Sequence, residues 1–220
     1  MEWKNDTELF RLMRERLFTA IIGDVLDLLG YRNQFLPPEC RPLRSEMVVC
    51  GRAMTVHETD VDEPSEPPFG LMLKALDSLQ HHEVYVAGGG SPQYALWGEL
   101  MSTAALARGA AGAVLAGYTR DTHGILAMDF PVFCYGSYAQ DQRGRGRVVD
   151  FRSTLHIGRV TIRSGDIVFG DIDGVVILPR EVETEVVHRA LEQVRKEKTA
   201  RQLLGEGAST QSVFMETGVL

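Results

Sequence analysis

The segment from residue 69 to residue 135 alternates between helical and strand-like patterns, and this alternation constrains the fold more than any other feature. The pattern predicts helices over 69–80, about 97–108 and near 122–128, with strands at Glu83–Ala87, Ala113–Ala116 and Pro131–Tyr135. Strands joined by helical crossovers pair in parallel, and the crossovers cover the sheet. The chain is therefore predicted to belong to the α/β class.

The flanking regions add helices before this segment and strands after it. Two amphipathic helices are predicted over about 7–30, with Thr19 as the N-cap of the second. A strand over 47–56 is expected to be broken at Gly51. From Val148 short strands alternate with turns, and a charged helix over about 180–204 precedes a tail containing Gly, Ser and Thr. We expect a β-rich layer beside the α/β part.

Length and charge limit the classes of protein. A chain of 220 residues can bury one substantial core, so a single domain over 1–220 is expected. The formal net charge is −7, from 23 basic and 30 acidic side chains, and it opposes binding to a phosphate backbone. The arginine–glycine run over 143–147 is interpreted as a solvated loop. No nucleic-acid partner is predicted.

Several kinds of site and location are not supported. Cys40, Cys50 and Cys134 form no C-x-x-C pair, which argues against zinc and disulfides. The glycine run 88–90 lacks the spacing of a dinucleotide loop. The N-terminus shows no basic-then-apolar signal pattern, and no apolar run approaches the ~18 residues of a membrane span. A cytoplasmic protein without a membrane partner is expected.

The segment Gly117-Tyr118-Thr119-Arg120-Asp121 follows a buried-looking strand. Ligands bind at the carboxyl ends of strands in open α/β sheets. The planar fork of Arg120 suits a carboxylate, and the hard oxygens of Asp121 suit Mg²⁺ or Mn²⁺. A surface ion pair is the alternative interpretation. Together the two side chains can hold an anionic substrate beside a metal.

The segment Gly98-Glu99-Leu100-Met101 opens the helix after the glycine run. Free backbone N–H groups at a helix start are suited to anions. Glu99 is a candidate for contact with a cation or its water ligands. Alternatively, this carboxylate only complements the helix dipole.

These segments carry a resemblance to a known family. Five motifs stand in the order found in RraA-like proteins: Thr19–Asp24, Gly98–Met101, Gly117-x-x-Arg120-Asp121, Pro131–Phe133 and Gly170–Val176. The resemblance covers nearly the whole chain. It implies a three-layer β/β/α, swivelling-domain-like fold assembled as a homotrimer or homohexamer with active sites between subunits.

The resemblance also implies an activity. The family includes aldolases that act on 4-hydroxy-4-methyl-2-oxoglutarate and 4-carboxy-4-hydroxy-2-oxoadipate, with oxaloacetate decarboxylase side activity, and a regulator of RNase E. We therefore expect a lyase dependent on Mg²⁺, Mn²⁺ or another divalent metal, acting on a small 2-oxo acid to give pyruvate. A pyruvate enolate needs a nearby cation, and no lysine stands in a suitable strand-end motif for a Schiff base. A non-catalytic regulator that binds a ribonuclease, and a lyase or decarboxylase acting on another hydroxy acid, are the alternatives.

Site residues follow from the resemblance position by position. Arg120 matches the arginine that binds the pyruvate carboxylate, and Asp121 the aspartate that anchors the metal. The segment Gly98–Met101 completes the pyruvate pocket, with Glu99 reaching metal-bound water. In the family, a neighbouring subunit delivers to the site a glutamate that stands late in the chain, and Glu197 resembles this glutamate in placement. Glu192 and Glu206 are alternative candidates. The other interpretation is that Glu197 lies on an ordinary solvated helix face.

Two positions leave the substrate open. The aldolases carry aspartate where this chain has Glu99, and the longer side chain changes its reach to metal or water. His123 follows the Arg120-Asp121 pair and is a candidate substrate contact or acid; a histidine on the helix surface is the alternative.

Overall fold

The structure is a computed structural model that describes residues 3–63 and 66–220. The exposed loop predicted over Asp60–Pro68 includes residues 64–65, which lie outside the described part. Residues 1–2 of the N-terminal segment also lie outside it. In the part that is described, Asp60 ends a strand instead of opening a loop. None of the described helices is both long and apolar enough to span a membrane.

Helices and strands alternate through the middle of the chain. The helices are α1 Asp6–Arg16, α2 Thr19–Leu28, α3 Met72–Asp77, α4 Glu99–Ala107, α5 Thr122–Ala127, α6 Glu183–Gly205 and α7 Thr210–Thr217. The strands are β1 Arg41–Pro42, β2 Val49–Asp60, β3 Glu83–Gly88, β4 Ala95–Trp97, β5 Gly112–Leu115, β6 Tyr118–Thr119, β7 Val132–Cys134, β8 Gly146–Phe151, β9 Leu155–Ile157, β10 Val160–Ile162, β11 Ile167–Asp171 and β12 Gly174–Leu178. The predicted alternation is confirmed, with the short strands β4 and β6 as additions.

The main sheet has the order β1-β7-β5-β3-β2-β11-β12, and β8 also pairs with β2. Strands β2, β3, β5 and β7 are parallel, as the helical crossovers predict, whereas β11 and β12 are antiparallel. The guanidinium of Arg41 on β1 donates to the carbonyl of Ile172, between β11 and β12, at 3.0 Å. The two ends of the sheet therefore approach each other, and the sheet is nearly closed.

Three buried clusters connect the layers. Helices α1, α2 and α6 pack on β11 and β12, and helices α3, α4 and α5 pack with β3 and β5. The β9–β10 hairpin packs against the main sheet, where Leu155 and Ile157 share a cluster with Val84, Val86 and Val114. The strands predicted after Val148 are present, but β8, β11 and β12 join the main sheet, so only the β9–β10 hairpin forms a separate β addition.

The prediction that Thr19 caps α2 is wrong. Phe18 is the N-cap residue, and the side chain of Asp171 from β11 binds the helix start. The Thr19 amide and hydroxyl donate to the Asp171 carboxylate at 2.8 and 2.6 Å. Asp171 also accepts from the Asp173 amide at 2.9 Å. The cap comes from a residue 152 positions away, so helix-start statistics did not predict it.

Gly51 does not break the strand. Strand β2 runs through Gly51 without interruption. Because glycine has no side chain, the carbonyl oxygen of His82 lies where a Cβ atom of this residue would stand. The loop predicted over 143–147 is also shorter than expected, because Gly146 already begins β8. The predicted C-terminal tail contains α7, where the Ser209 hydroxyl accepts from the Ser212 amide at 3.1 Å.

Candidate active site

Strands β4 and β6 bring the two motif segments together. They pair in parallel, so the residues that follow them lie side by side. The Arg120 amide donates to the carbonyl of Trp97 at 2.9 Å, and the Thr119 hydroxyl donates to the same oxygen at 3.2 Å. As a result, Gly98 and the Arg120-Asp121 pair line one cleft of about 450 Å³, as do Leu100 and Met101.

The start of α4 presents backbone donors to this cleft. Gly98 is the N-cap residue, and as a glycine it has no side chain with which to cap the helix. Its carbonyl accepts from the Ser102 amide at 3.0 Å and from the Ser102 hydroxyl at 3.1 Å. Ser102 makes the first backbone hydrogen bond of the helix. The amides of residues 99–101 lie before it and therefore have no acceptor within the helix, as at any helix start. These donors suit an anionic ligand.

Arg120 lies between two carboxylates. Its Nε atom is 3.5 Å from Oδ2 of Asp121, and its Nη1 atom is 3.2 Å from Oδ1 of Asp141. All three side chains are between about a third and a half exposed. Asp141 was not identified from the sequence, because nothing in its surroundings links it to a residue 21 positions earlier. The ion pair orients the guanidinium while leaving it accessible from the cleft.

Asp121 has the left-handed backbone conformation, with φ 55° and ψ 32°. Aspartate adopts this conformation more readily than most residues, at a cost of about 1 kcal/mol or more. Strand β6 fixes the chain before Asp121. The carbonyl of Asp121 accepts a hydrogen bond from the Gly124 amide of α5 at 3.0 Å. A Cβ atom on Gly98 would lie 2.8 Å from Oδ2 of Asp121. The fold thus holds this carboxylate against the start of α4.

A second cleft of about 580 Å³ adjoins the first, and Asp121 lines both. Glu99 and His123 line the second cleft. The Glu99 carboxylate lies so close to Gly124 that a Cβ atom there would collide with it. Glu99 and His123 therefore share with Asp121 a cleft different from the one that Leu100 and Met101 line.

Glu197 lies elsewhere in the same chain. It lines a separate cleft with Asp24, Arg32 and the C-terminal residues, and its carboxylate is 4.0 Å from Arg201. Glu192 and Glu206 are exposed. The structure of one chain does not bring any of these three glutamates to the cleft of Arg120.

The carboxylates at the first cleft and at the cleft adjoining it fit a hard divalent cation that keeps water ligands. Asp121 offers an accessible carboxylate, and Glu99 lines the adjoining cleft. Across residues 3–63 and 66–220, no group of three His, Cys, Asp or Glu side chains is positioned to hold a metal. Mg²⁺ is commonly bound through one or two carboxylates, with water and substrate completing its shell. The residues present therefore suit Mg²⁺ or Mn²⁺ better than a structural metal.

A buried polar group stands behind the first cleft. Gln142 lines the cleft, and its amide donates to Oε2 of Glu58 at 2.5 Å. Burial raises the pKa of Glu58 to about 8, against the opposing effect of the Gln142 hydrogen bond. The Oε1 atom of Glu58 and the hydroxyl of Tyr85 are buried, and neither has a hydrogen-bond partner among the residues that the structure describes. Neither Glu58 nor Gln142 was identified from the sequence.

The RraA-like family model, described as Aldolase/RraA, matches residues 19–177. This chain belongs to the RraA-like family. The match includes Gly98–Met101, Arg120 and Asp121, so the segments that form the cleft lie within the shared region. The recognition made from the five motifs is confirmed.

Individual relatives agree with the family. This RraA-like chain is 28% identical over 199 residues to the Halalkalibacterium halodurans protein named "Putative 4-hydroxy-4-methyl-2-oxoglutarate aldolase", covering 90% of each. It is 29% identical over 192 residues to Protein DlpA of Legionella pneumophila; that match covers 87% of the chain and 31% of DlpA. The chain therefore spans about a third of DlpA's length.

A solved structure shows the same fold. Streptomyces coelicolor RraAS2, described as an unusual member of the RNase ES inhibitor RraA protein family, matches with a TM-score of 0.79 and 25% identity. The match covers 90% of the RraA-like chain and 98% of RraAS2. The α/β class and the RraA-like fold expected from the resemblance are confirmed.

Proposed function

We propose that this protein is a divalent-metal-dependent lyase that cleaves a 4-hydroxy-2-oxo acid to pyruvate. The observation that carries the proposal is the cleft itself, where Arg120 and Asp121 lie beside Gly98 at the start of α4. The name of the Halalkalibacterium halodurans relative supports the same chemistry. Oxaloacetate decarboxylation fits the same site, because loss of CO₂ also leaves a pyruvate enolate.

The carboxylate of the substrate binds at Arg120. The guanidinium is partly exposed and oriented by Asp141, so a planar carboxylate can approach its free edge. The amides of Leu100 and Met101 are the nearby backbone donors for the same end of the substrate. Binding at both places fixes the 2-oxo group beside Asp121.

Bond cleavage places the electron pair of the C3–C4 bond on the pyruvate unit as an enolate. Asp121 would hold Mg²⁺ or Mn²⁺, which when bound would supply Lewis-acid stabilisation of negative charge on the pyruvate unit. The C4 hydroxyl must lose a proton, and the Glu99 carboxylate, in the cleft adjoining Asp121, accepts it through water. His123 lines that cleft as a second group able to contact the substrate.

A homotrimer or homohexamer is part of the proposal. Within one chain Glu197 lines a different cleft, so it reaches the site of Arg120 only from a neighbouring subunit. Mixing inactive Arg120→Ala chains with inactive Glu197→Gln chains tests this arrangement. Recovery of activity in mixed oligomers supports a shared site, and no recovery at any mixing ratio contradicts it.

Pyruvate release is the direct test of the lyase. Release from 4-hydroxy-4-methyl-2-oxoglutarate and from oxaloacetate is followed by coupling to lactate dehydrogenase, with Mg²⁺ and with chelator. The expected result is release that chelator abolishes and that Arg120→Ala and Asp121→Ala both remove. Undiminished turnover of Asp121→Ala would contradict the metal role. A ribonuclease recovered at stoichiometric yield in a pull-down, without pyruvate release, would favour the regulator.

A further inference from the structure

An apolar wall lines part of the cleft that Arg120 also lines. Phe69, Met72, Leu73 and Leu76 follow one another at helical spacing along α3 and the turn before it. Such spacing usually marks a face buried in the core. Met72 and Leu76 are buried, but Leu73 is 59% exposed. The α3 stripe is therefore only partly covered by the core, and the remainder faces the cleft.

Helix α4 continues the same wall. Leu100, Met101 and Ala104 line the cleft, and Leu100 is 83% exposed. Large apolar side chains at a ligand cleft provide favourable contact for apolar parts of a ligand. The cleft, at about 450 Å³, is also larger than a pyruvate unit needs.

The charges that this chain places on the cleft do not suit a second carboxylate. Arg120 is the one cationic side chain among the described residues that line it, and Asp77, Asp121 and Asp141 are its anionic ones. Arg108 is engaged by the Asp77 carboxylate and by the carbonyl of Ala104 at 3.1 Å. The Gln142 amide donates to Glu58.

We infer that the substrate carries one carboxylate, at its pyruvate end, and an apolar group on C4 that packs on the wall formed by α3 and α4. This inference rests on the proposed lyase function. The reaction is R–CH(OH)–CH₂–CO–COO⁻ giving R–CHO and pyruvate, where R is apolar. The C3–C4 bond breaks, its electron pair stays on C3, and the proton lost from the hydroxyl is matched by the proton that C3 gains. A carboxylate at R would lose its hydration against the wall without gaining a cationic side chain from this chain.

Two substrates of similar shape test the inference. In 4-hydroxy-5-methyl-2-oxohexanoate C4 carries an isopropyl group, and in 4-hydroxy-2-oxoglutarate it carries a carboxylate. Both release pyruvate, so one assay compares them. The isopropyl substrate is expected to have a kcat/KM higher by about 10- to 100-fold. An equal or higher kcat/KM for the dicarboxylate would overturn the inference.

A charge placed on the wall provides the second arm. Leu73→Arg supplies a cation at an exposed position and is expected to lower the preference for the isopropyl substrate at least about tenfold. Leu106→Arg is the matched control, because Leu106 is 49% exposed on α4 but does not line the cleft. An unchanged preference in Leu73→Arg, together with a smaller oligomer by size-exclusion chromatography, would mean that the wall is a subunit contact and would overturn the inference.

Failure of the lyase itself is measured separately. Exchange of the pyruvate methyl hydrogens in D₂O with Mg²⁺ requires only enolisation and no group R. Exchange with preference for the dicarboxylate overturns the substrate class but leaves the lyase standing. Absence of exchange and of pyruvate release from both substrates overturns the lyase and the inference with it.

Discussion

The Nη1 atom of Arg120 lies 3.2 Å from Oδ1 of Asp141, a residue of the loop between β7 and β8. This ion pair connects the segment after β6 to a part of the chain that carries no recognised motif. It orients the guanidinium and at the same time reduces the positive potential that an incoming carboxylate meets. Both effects are partly screened, because each side chain is about 40% exposed.

Replacing Asp141 with asparagine separates these effects. The amide oxygen still accepts from Arg120, but the negative charge is gone, so pyruvate should inhibit about 1.5- to 5-fold more tightly at low salt. The gain should shrink at 0.5 M salt, because exposed charges are screened. The inhibition constant of pyruvate is the measurement, and Asp173→Asn in an exposed turn is the control. Weaker inhibition in Asp141→Asn would show that orientation needs the full charge.

Adding one methyl group at Gly98 should disturb Asp121 without disturbing the fold. The φ of Gly98 is −159°, which any residue adopts, but the new Cβ would lie 2.8 Å from Oδ2 of Asp121. Gly98→Ala is expected to weaken Mn²⁺ binding about tenfold or more, as other changes beside a metal ligand do. Titration calorimetry measures this affinity. In Gly205→Ala the new Cβ has no described atom within 4 Å apart from the neighbouring backbone of its own helix, so this variant serves as the control. Unchanged Mn²⁺ affinity in Gly98→Ala would argue against Asp121 as the metal ligand.

Glu58 should make stability depend on pH. Its folded pKa of about 8 lies above its ordinary value of 4.5, so the folded state holds the extra proton between these pH values. Stability is therefore lost as pH rises from 4.5 to 8, by up to about 1.4 kcal/mol per pH unit. The side chain in Glu58→Gln cannot ionise. The free energy of unfolding of this variant, relative to that of the native protein, should therefore rise across this window. Urea unfolding at pH 5, 7 and 9 measures it, with exposed Glu192→Gln as the control. A constant difference would mean that Glu58 has an ordinary pKa.

Removing the carboxylate that caps α2 should affect stability alone. Asp171→Ala takes away both hydrogen bonds to the buried Thr19, which leaves two donors unsatisfied. A loss of about 2 kcal/mol in the free energy of unfolding is expected. Chemical denaturation measures this loss, and pyruvate release should change little in folded protein. Asp173→Ala keeps the two bonds and serves as the control. A catalytic loss in folded Asp171→Ala, at unchanged stability, would assign this aspartate to the site instead.

The sequence was informative wherever a contact is local. Helical and strand periodicity predicted β3, α4, β5, α5 and β7 in order, because side-chain spacing reports the face that each element buries. The ordered motifs identified the family, and the place of Arg120 and Asp121 after a strand predicted a ligand site at the carboxyl end of that strand. These conclusions depend only on residues that are close in the sequence and on the general rule that ligands bind at the carboxyl ends of parallel strands.

The tertiary structure decided what depends on distant residues. The pairing of Arg120 with Asp141 and of Gln142 with Glu58 joins loops and strands through the folded chain. The cap of α2 by Asp171 and the uninterrupted course of β2 through Gly51 have the same origin. Periodicity marked the α3 stripe as apolar but could not show that Leu73 stays exposed in the cleft. Exposure depends on which elements pack around a side chain, and only the folded chain determines that.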